Sequence, residues 1–445
     1  MKQREFSCGI TWRATAAALA LAFFCAAVPV RAEPTYGRYE PVEIKDSEQQ
    51  LMKTTADYED LFKRRGYRYD SADLEALVSR VGTELAPKPT DPYIRYRFHL
   101  LRDVEPNAFA LPDGQVYVNT GILALLDNEA QLAALLAHEV QHTAGHHGIL
   151  AYRSVRRKII TSMVLGPITL GISDVFLALS LYGYSRELEE EADRRGAERL
   201  VKCGYDPRQM PKLFELLMQD PEGERPRVGT KWSTHPELQS RIDYTRAMLP
   251  KITWGQDPGK FKVGAQGYRR LARRVALDTV QDLVDADYPF SAVALAKRLI
   301  GENEADAEAH LAMGDARYAQ GARAPFDKPE EQTNKAKWHR VYARGRYTRS
   351  ELEEKRRATP EGQQNLRRNL EAARRSYLRA LGLNPGLPEA HRGLGFVLDE
   401  MGRPVEAGRE FVIYLKARPQ ATDRQAVLAQ LAQINDKIKK GGRGK

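Results

Sequence analysis

Cysteine is scarce in this chain: three residues in 445, at Cys8, Cys25 and Cys203. Two of them fall within residues 1–32, so a chain that loses that segment keeps Cys203 alone and forms no internal disulfide. Long unbroken apolar runs are also missing beyond residue 32. The most apolar stretch, residues 159–183, is interrupted by Gly166-Pro167 and carries Asp174 near its middle, both costly in a helix facing lipid. We expect two helices packed over the neighbouring fold there, with peripheral membrane contact rather than a span. A zinc finger, an RNP-type aromatic motif and a long basic arm are all lacking, which excludes nucleic acid as a partner. The net charge of +10 is modest: Lys2, Arg4, Arg13 and Arg31 against Glu5 supply +3 of it, leaving about +7, a balance suited to anionic surfaces or acidic partners.

What is present begins with a targeting segment. A basic start, an apolar run over residues 14–28 and small residues at Val30 and Ala32 predict a signal peptide over residues 1–32, cleaved before Glu33. Residues 33–60 are polar and without clear period, and read as an extended lead-in. Residues 71–85 have helix spacing at Leu74, Leu77, Val78, Val81 and Leu85, closed by Pro87 and Pro89. Residues 93–101 read as a strand. Residues 107–111 and 115–119 flank Pro112-Asp113-Gly114 as a hairpin. An amphipathic helix follows from Asn128, with Gln131 as capping partner, a stripe of Leu132, Leu135, Leu136 and Val140, and an end marked by Gly145 and Gly148. Residues 186–201 predict a highly charged helix.

That amphipathic helix holds His138-Glu139-Val140-Gln141-His142. Two histidines four apart share one helix face, and Glu139 sits beside them. The pattern suits zinc hydrolysis: two imidazole ligands, an open position for a water made acidic by the ion, and a carboxylate to take its proton. A metzincin would place a third histidine at position 148, which is Gly148, with His146 and His147 falling short. The third ligand is therefore expected from a carboxylate, and Glu187, Glu189, Glu190, Glu191 and Asp193 are the nearest cluster.

These blocks, with Ser185-Arg186-Glu187-Leu188-Glu189-Glu190-Glu191-Ala192-Asp193, resemble metallopeptidase family forty-eight, the group that includes HtpX, BepA and the CAAX prenyl proteases. Asn107-Ala108-Phe109-Ala110-Leu111-Pro112 and Ser233-Thr234-His235-Pro236 are similar to further blocks of that family. The resemblance implies one zinc ion per chain held by His138, His142 and Glu189, with Glu190 the neighbouring register. It implies Glu139 as general base and Asp193 as the residue orienting a ligand histidine. It also places His235 near the site, either as an oxyanion donor or as a plug on the open zinc position.

Beyond residue 260 the composition changes. Ala373, Tyr377, Ala380 and Pro385 recur as Ala407, Phe411, Tyr414 and Pro419, each 34 residues on, a spacing that resembles the tetratricopeptide repeat. His310, Met313, Gly314 and Gly321 match a first helix, implying a polar, basic insertion near 322–368, and a degenerate unit centres on Ala292. The expected architecture is α+β: a mostly helical gluzincin domain with a small sheet over 33–260, then a tetratricopeptide-like domain over 265–445. A signal peptide, peptidase and repeats in that order resemble the BepA-type branch. This implies a periplasmic zinc endopeptidase acting on unfolded or misassembled outer-membrane proteins and their assembly machinery, with the edge strand 107–111 pairing to substrate. The other functional class is a repeat-based chaperone or assembly factor in which gated proteolysis is rare.

Overall fold

The computed structural model describes residues 42–55, 58–89, 91–161, 184–219, 238–322 and 359–442. The expected signal peptide, most of the apolar stretch 159–183, the segment holding His235 and the heart of the basic insertion lie outside the described residues.

Residues 33–60 are not simply an extended lead-in. From Asp46 onward they include α1 (Asp46–Thr55) and α2 (Tyr58–Arg64). Met52 of α1 is buried against Ile94, Ile149, Ala151 and Tyr184, and Glu48 pairs with Arg153 at 2.7 Å. These partners lie far along the chain, so no local period announces the helix. α3 (Ala72–Leu85) follows and buries the five predicted apolar positions.

The strand expected over 93–101 starts later. Only β1 (Arg97–Leu101) joins the sheet, because Ile94 and Arg95 are occupied by loop hydrogen bonds, Arg95 N–H donating to Asp113 O at 2.7 Å. β2 (Ala108–Ala110) and β3 (Gln115–Asn119) form the predicted hairpin, with Phe109 opposite Tyr117. Its Gly114 has φ +96, and a Cβ there would lie 2.7 Å from the Arg95 backbone, so the turn requires glycine. β3 is central, parallel to β1 and antiparallel to β2, so that among the described residues β2 has no second strand partner. Period-two alternation sends Phe98, Leu100, Ala108, Ala110, Val116 and Val118 into the main core. The opposite face carries Leu101, Phe109 and Tyr117, covered by Tyr58 and Phe62.

After α4 (Thr120–Leu125) comes α5 (Glu129–Ala144), the motif helix. Asn128 caps it by accepting from Gln131 N–H at 2.9 Å, while the Gln131 side chain accepts from Asp127 N–H at 2.6 Å. The helix is not amphipathic in its setting: every residue from Ala130 to Ala144 is buried. It is enclosed by α3, the sheet, α7 (Arg186–Lys202) and α8 (Gln209–Met218). Nor does Gly148 end the helix. Gly145 is the C-cap, His146 takes the left-handed φ of 52, and Gly148 lies inside α6 (His147–Thr161), close against Pro112. α9 (Leu238–Ile252) completes this part.

The rest is helical: α10 (Ala265–Asp285), α11 (Pro289–Glu302), α12 (Ala307–Ala322), α13 (Pro360–Leu383), α14 (Pro388–Glu400), α15 (Pro404–Ala417) and α16 (Arg424–Gly442). Proline opens four of them, where its missing N–H has no helical partner to lose. α10 serves two cores: Tyr268, Ala272 and Val275 join the core around α5, while Ala276, Leu277, Val280 and Leu283 pack with α11 and α12. The segment 322–368 is not all insertion, since α13 begins at Pro360. α12 and α13 pack as a pair across it, the Tyr377 ring lying against both Gly314 and Gly393. No helix among the described residues is long and apolar enough to cross a membrane.

Candidate metal centre

α5 and α7 bring three donor groups together. His138, His142 and Glu189 each offer one ligand atom, and these atoms lie within 4.8 Å of one another, all on buried residues. The two Nε2 atoms are 2.9 Å apart. Glu189 Oε2 is 3.5 Å from His138 Nε2, and Glu189 Oε1 is 3.7 Å from His142 Nε2. Of the three consecutive glutamates only Glu189 turns inward: Glu190 accepts from Arg194 at 2.6 Å and Glu191 from Arg195 at 2.8 Å. Successive residues turn by about 100° around the helix, so of Glu189 and Glu190 only Glu189 faces the two Nε2 atoms.

Each histidine is braced on its other nitrogen. His138 Nδ1 lies 2.8 Å from Asp193 Oδ1, one turn along α7 from Glu189. Arg241 of α9 grips Asp193 with two hydrogen bonds of 2.8 and 2.7 Å and places Nη1 3.0 Å from Glu189 Oε2. Its guanidinium stacks over the Phe214 ring at 4.4 Å. Tyr244 also donates to Asp193. Burial alone would raise the Asp193 pKa, but the charges of Arg241 and His138, with their hydrogen bonds, outweigh it and hold the carboxyl well below the usual range. His142 Nδ1 is 2.9 Å from His147 Nδ1, and the Tyr184 ring stacks on the His142 ring at 3.9 Å and 16°. Burial, and the charges of Glu139 and Glu189 next to it, push the Tyr184 hydroxyl far up, so it stays protonated.

The donor set fits zinc. With an Nδ1 proton on His138 directed to Asp193 and one on His142 directed to His147, both Nε2 atoms present lone pairs to each other and to a carboxylate. That arrangement repels itself unless a cation lies among the three. Two imidazole nitrogens and one carboxylate oxygen make a zinc-type set with a position left open.

His138, Glu139, His142, Glu189 and Asp193 thus converge, Glu139 being buried beside the two histidines on α5 and acting electrostatically on Tyr184. His235 falls outside the described residues. Arg241, Tyr244, Tyr184 and His147 were not singled out from the sequence as part of the site. Arg241 sits in the polar stretch after Pro236 with nothing local to mark it. His147 was weighed only as a ligand and set aside, although its closeness to His142 was a usable signal.

Two imidazoles from a H-E-x-x-H helix and one glutamate from a second helix make a His-His-Glu donor set for a metal ion. Residues 71–249 match the model of peptidase family M48. The mitochondrial metalloendopeptidase OMA1 of Schizosaccharomyces pombe is 33% identical over 162 residues, covering 36% of this chain and 48% of that one. The β-barrel assembly-enhancing protease of Escherichia coli is 28% identical over 183 residues, 38% of this chain and 37% of that one. OMA1 of Arabidopsis thaliana is 34% identical over 140 residues, 30% of this chain and 28% of its own. The chain therefore spans less than half the length of each of these three relatives.

Proposed function

We propose that this protein is a zinc-dependent endopeptidase of the periplasm, acting in the assembly and quality control of outer-membrane proteins. The observation that carries the chemistry is the buried triad of His138, His142 and Glu189, within 4.8 Å and braced through Asp193. One zinc ion held by these residues supplies the Lewis acidity that lets water attack an amide carbonyl near neutral pH. Glu139 takes the proton released by the attacking water on its carboxylate and passes it to the leaving amide nitrogen. Asp193, fixed by Arg241, keeps the His138 ring oriented. Among the described residues β2 has no second strand partner, and it packs on α5, so an extended peptide added to that edge lies along the helix that carries Glu139.

The cellular setting rests on other support: the signal-like residues 1–32 and the likeness to a protease named for β-barrel assembly. The reading as a chaperone or assembly factor draws on the C-terminal helices, where Leu378 and Val412 occupy equivalent positions 34 residues apart and are 43% and 38% exposed. One set of measurements separates the two: metal content, cleavage of an unfolded β-barrel protein, and protection of that protein from aggregation. Glu139→Gln keeps zinc and loses cleavage by about 10²- to 10⁴-fold, the usual share of a general base. Glu189→Gln loses zinc. A Glu139→Gln protein that cleaves at the wild-type rate overturns the peptidase mechanism. One that retains full cellular function makes the chaperone role the main one.

A further inference from the structure

The two candidate ligand histidines are braced differently, and the second brace has a geometry of its own. His147 lies five residues beyond His142, so an unbroken helix would rotate it about 140° away from the His142 direction. The chain avoids this by a break. α5 ends at Ala144, His146 adopts φ 52, and α6 restarts at His147, with Ile149 and Leu150 N–H both donating to His146 O. The turn folds a fully buried His147 back so that its Nδ1 meets His142 Nδ1 at 2.9 Å. Glu191 of α7, one residue from the Glu190 that faces Arg194, reaches to 3.6 Å from His147 Nε2 and is itself held by Arg195 at 2.8 Å. The Tyr184 ring closes the arrangement, stacked on His142 and edge-on to His147 at 6.2 Å.

We propose that His147 is the positioning residue for His142, accepting its Nδ1 proton and so fixing the ring with Nε2 turned towards Glu189 and His138. Two nitrogens at 2.9 Å need one proton between them. For His142 Nε2 to serve as a ligand, its Nδ1 must carry that proton and His147 Nδ1 must accept it. His147 then bears its own proton on Nε2, the atom that faces the Glu191 carboxylate. Glu191 and Arg195 thus select the His147 tautomer, and His147 selects that of His142. His138 receives the same service from a carboxylate, Asp193, so one ligand is braced by an acid and the other by a second imidazole.

The inference rests on the metal-centre reading, and the test separates the two. Zinc affinity of the full-length, metal-depleted protein is measured by competition with a chromogenic chelator for wild type and for His142→Ala, His147→Phe and His147→Asn. His147→Phe, which keeps a ring but no acceptor, is expected to weaken zinc binding by about 10- to 100-fold, the usual cost of losing a partner behind a metal ligand. His147→Asn, which restores an acceptor at that place, recovers most of the loss, a rescue that a purely space-filling role does not give. In the zinc-loaded wild-type protein, ring nitrogen-15 spectra are expected to show His147 protonated on Nε2 and unprotonated on Nδ1. Wild-type affinity in His147→Phe, or a His147 protonated on Nδ1, overturns the proposal. Unchanged affinity in His142→Ala overturns the metal centre itself. If His147→Phe does not fold, the Asn variant and the wild-type spectra still decide.

Discussion

The helix that carries His138 and the helix that carries Tyr377 are both packed into cores, by opposite means. Around α5 the interior is charged. His138, Glu139, His142, Glu189, Asp193 and Arg241 are all buried, and the charges are tolerated because they answer one another across three helices. Around α13 the interior is made by shape. Tyr377 is fully buried because glycines at 314 and 393 leave room for its ring, and Gly395 does the same for Phe411, the residue 34 positions later. The first region depends on partners more than 40 residues apart, such as Asp193 and Arg241. The second repeats one contact, an aromatic ring against a glycine of the preceding helix (Tyr377 on Gly314, Phe411 on Gly395), so it is modular. Chemistry needs the first kind of interior, since only dry, fixed charges tune a ligand set. A binding scaffold can be built from the second.

The comparison breaks most sharply at Arg241. Arg241→Met removes the only guanidinium that, among the described residues, touches both Asp193 and Glu189, and leaves two buried carboxylates facing each other. We expect a loss of about 3–5 kcal/mol in denaturant unfolding of the metal-free protein, the scale for one partner removed from a buried pair. A loss below about 1 kcal/mol, the scale of exposed pairs, would mean that these charges are solvated in the folded state. The steric counterpart is Gly393→Ala. Its Cβ would lie 2.4 Å from the Tyr377 ring, so α13 and α14 must separate or the ring must leave its place. The expected cost is about 1–3 kcal/mol, as for overpacked cores. It should fall on the C-terminal helices, and cleavage of a short peptide should stay at the wild-type level. Equal losses of peptide cleavage and stability would show that the two regions are not energetically separable.

The smallest effect sharpens the contrast from the other side, at an acid inside the shape-built region. Asp315 accepts a hydrogen bond from Tyr377 at 2.7 Å, and burial pushes its pKa up to about 6, with Asp285 and Glu389 adding to the rise and Tyr377 and Arg392 opposing it. A carboxyl raised in the folded state contributes stability that is fully present below its unfolded pKa and is lost as pH rises through about 6. Asp315→Asn, which keeps an acceptor for Tyr377, is therefore expected to raise Tm at pH 7.5 and to bring little change at pH 4. Thermal melts at both pH values check this, and an equal shift at the two would assign the effect to packing instead of charge.

Much of the fold was legible because its signals are local. The capped helix at Asn128, the hairpin around Gly114 and the charged helix from Arg186 each depend on residues within a few turns of one another, and the 34-residue offset shows because one local pattern occurs twice. The hidden parts have partners far along the chain. α1 has no period of its own because Met52 packs on Ile94, Ile149 and Tyr184. The α10 helix looked like the start of a separate unit from its composition, yet Tyr268 donates to Leu123 O at 2.7 Å and lies in the α5 core. A fragment cut at residue 265 exposes that face, and one cut at 286 leaves it behind.

By itself the sequence determined which groups could do chemistry: His138 and His142 on one helix face, Glu139 beside them, and a carboxylate cluster within reach. A four-residue spacing on a helix is a local constraint, and local constraints can be read from order along the chain. Only the tertiary structure decided which of Glu189, Glu190 and Glu191 turns inward, that Arg241 neutralises the buried acids, and that His147 stands behind His142. Those choices are made by the packing of α7 on α5 and of α9 on α7, and by one left-handed residue at His146. They depend on distances in space between segments whose separation along the chain carries no record of them.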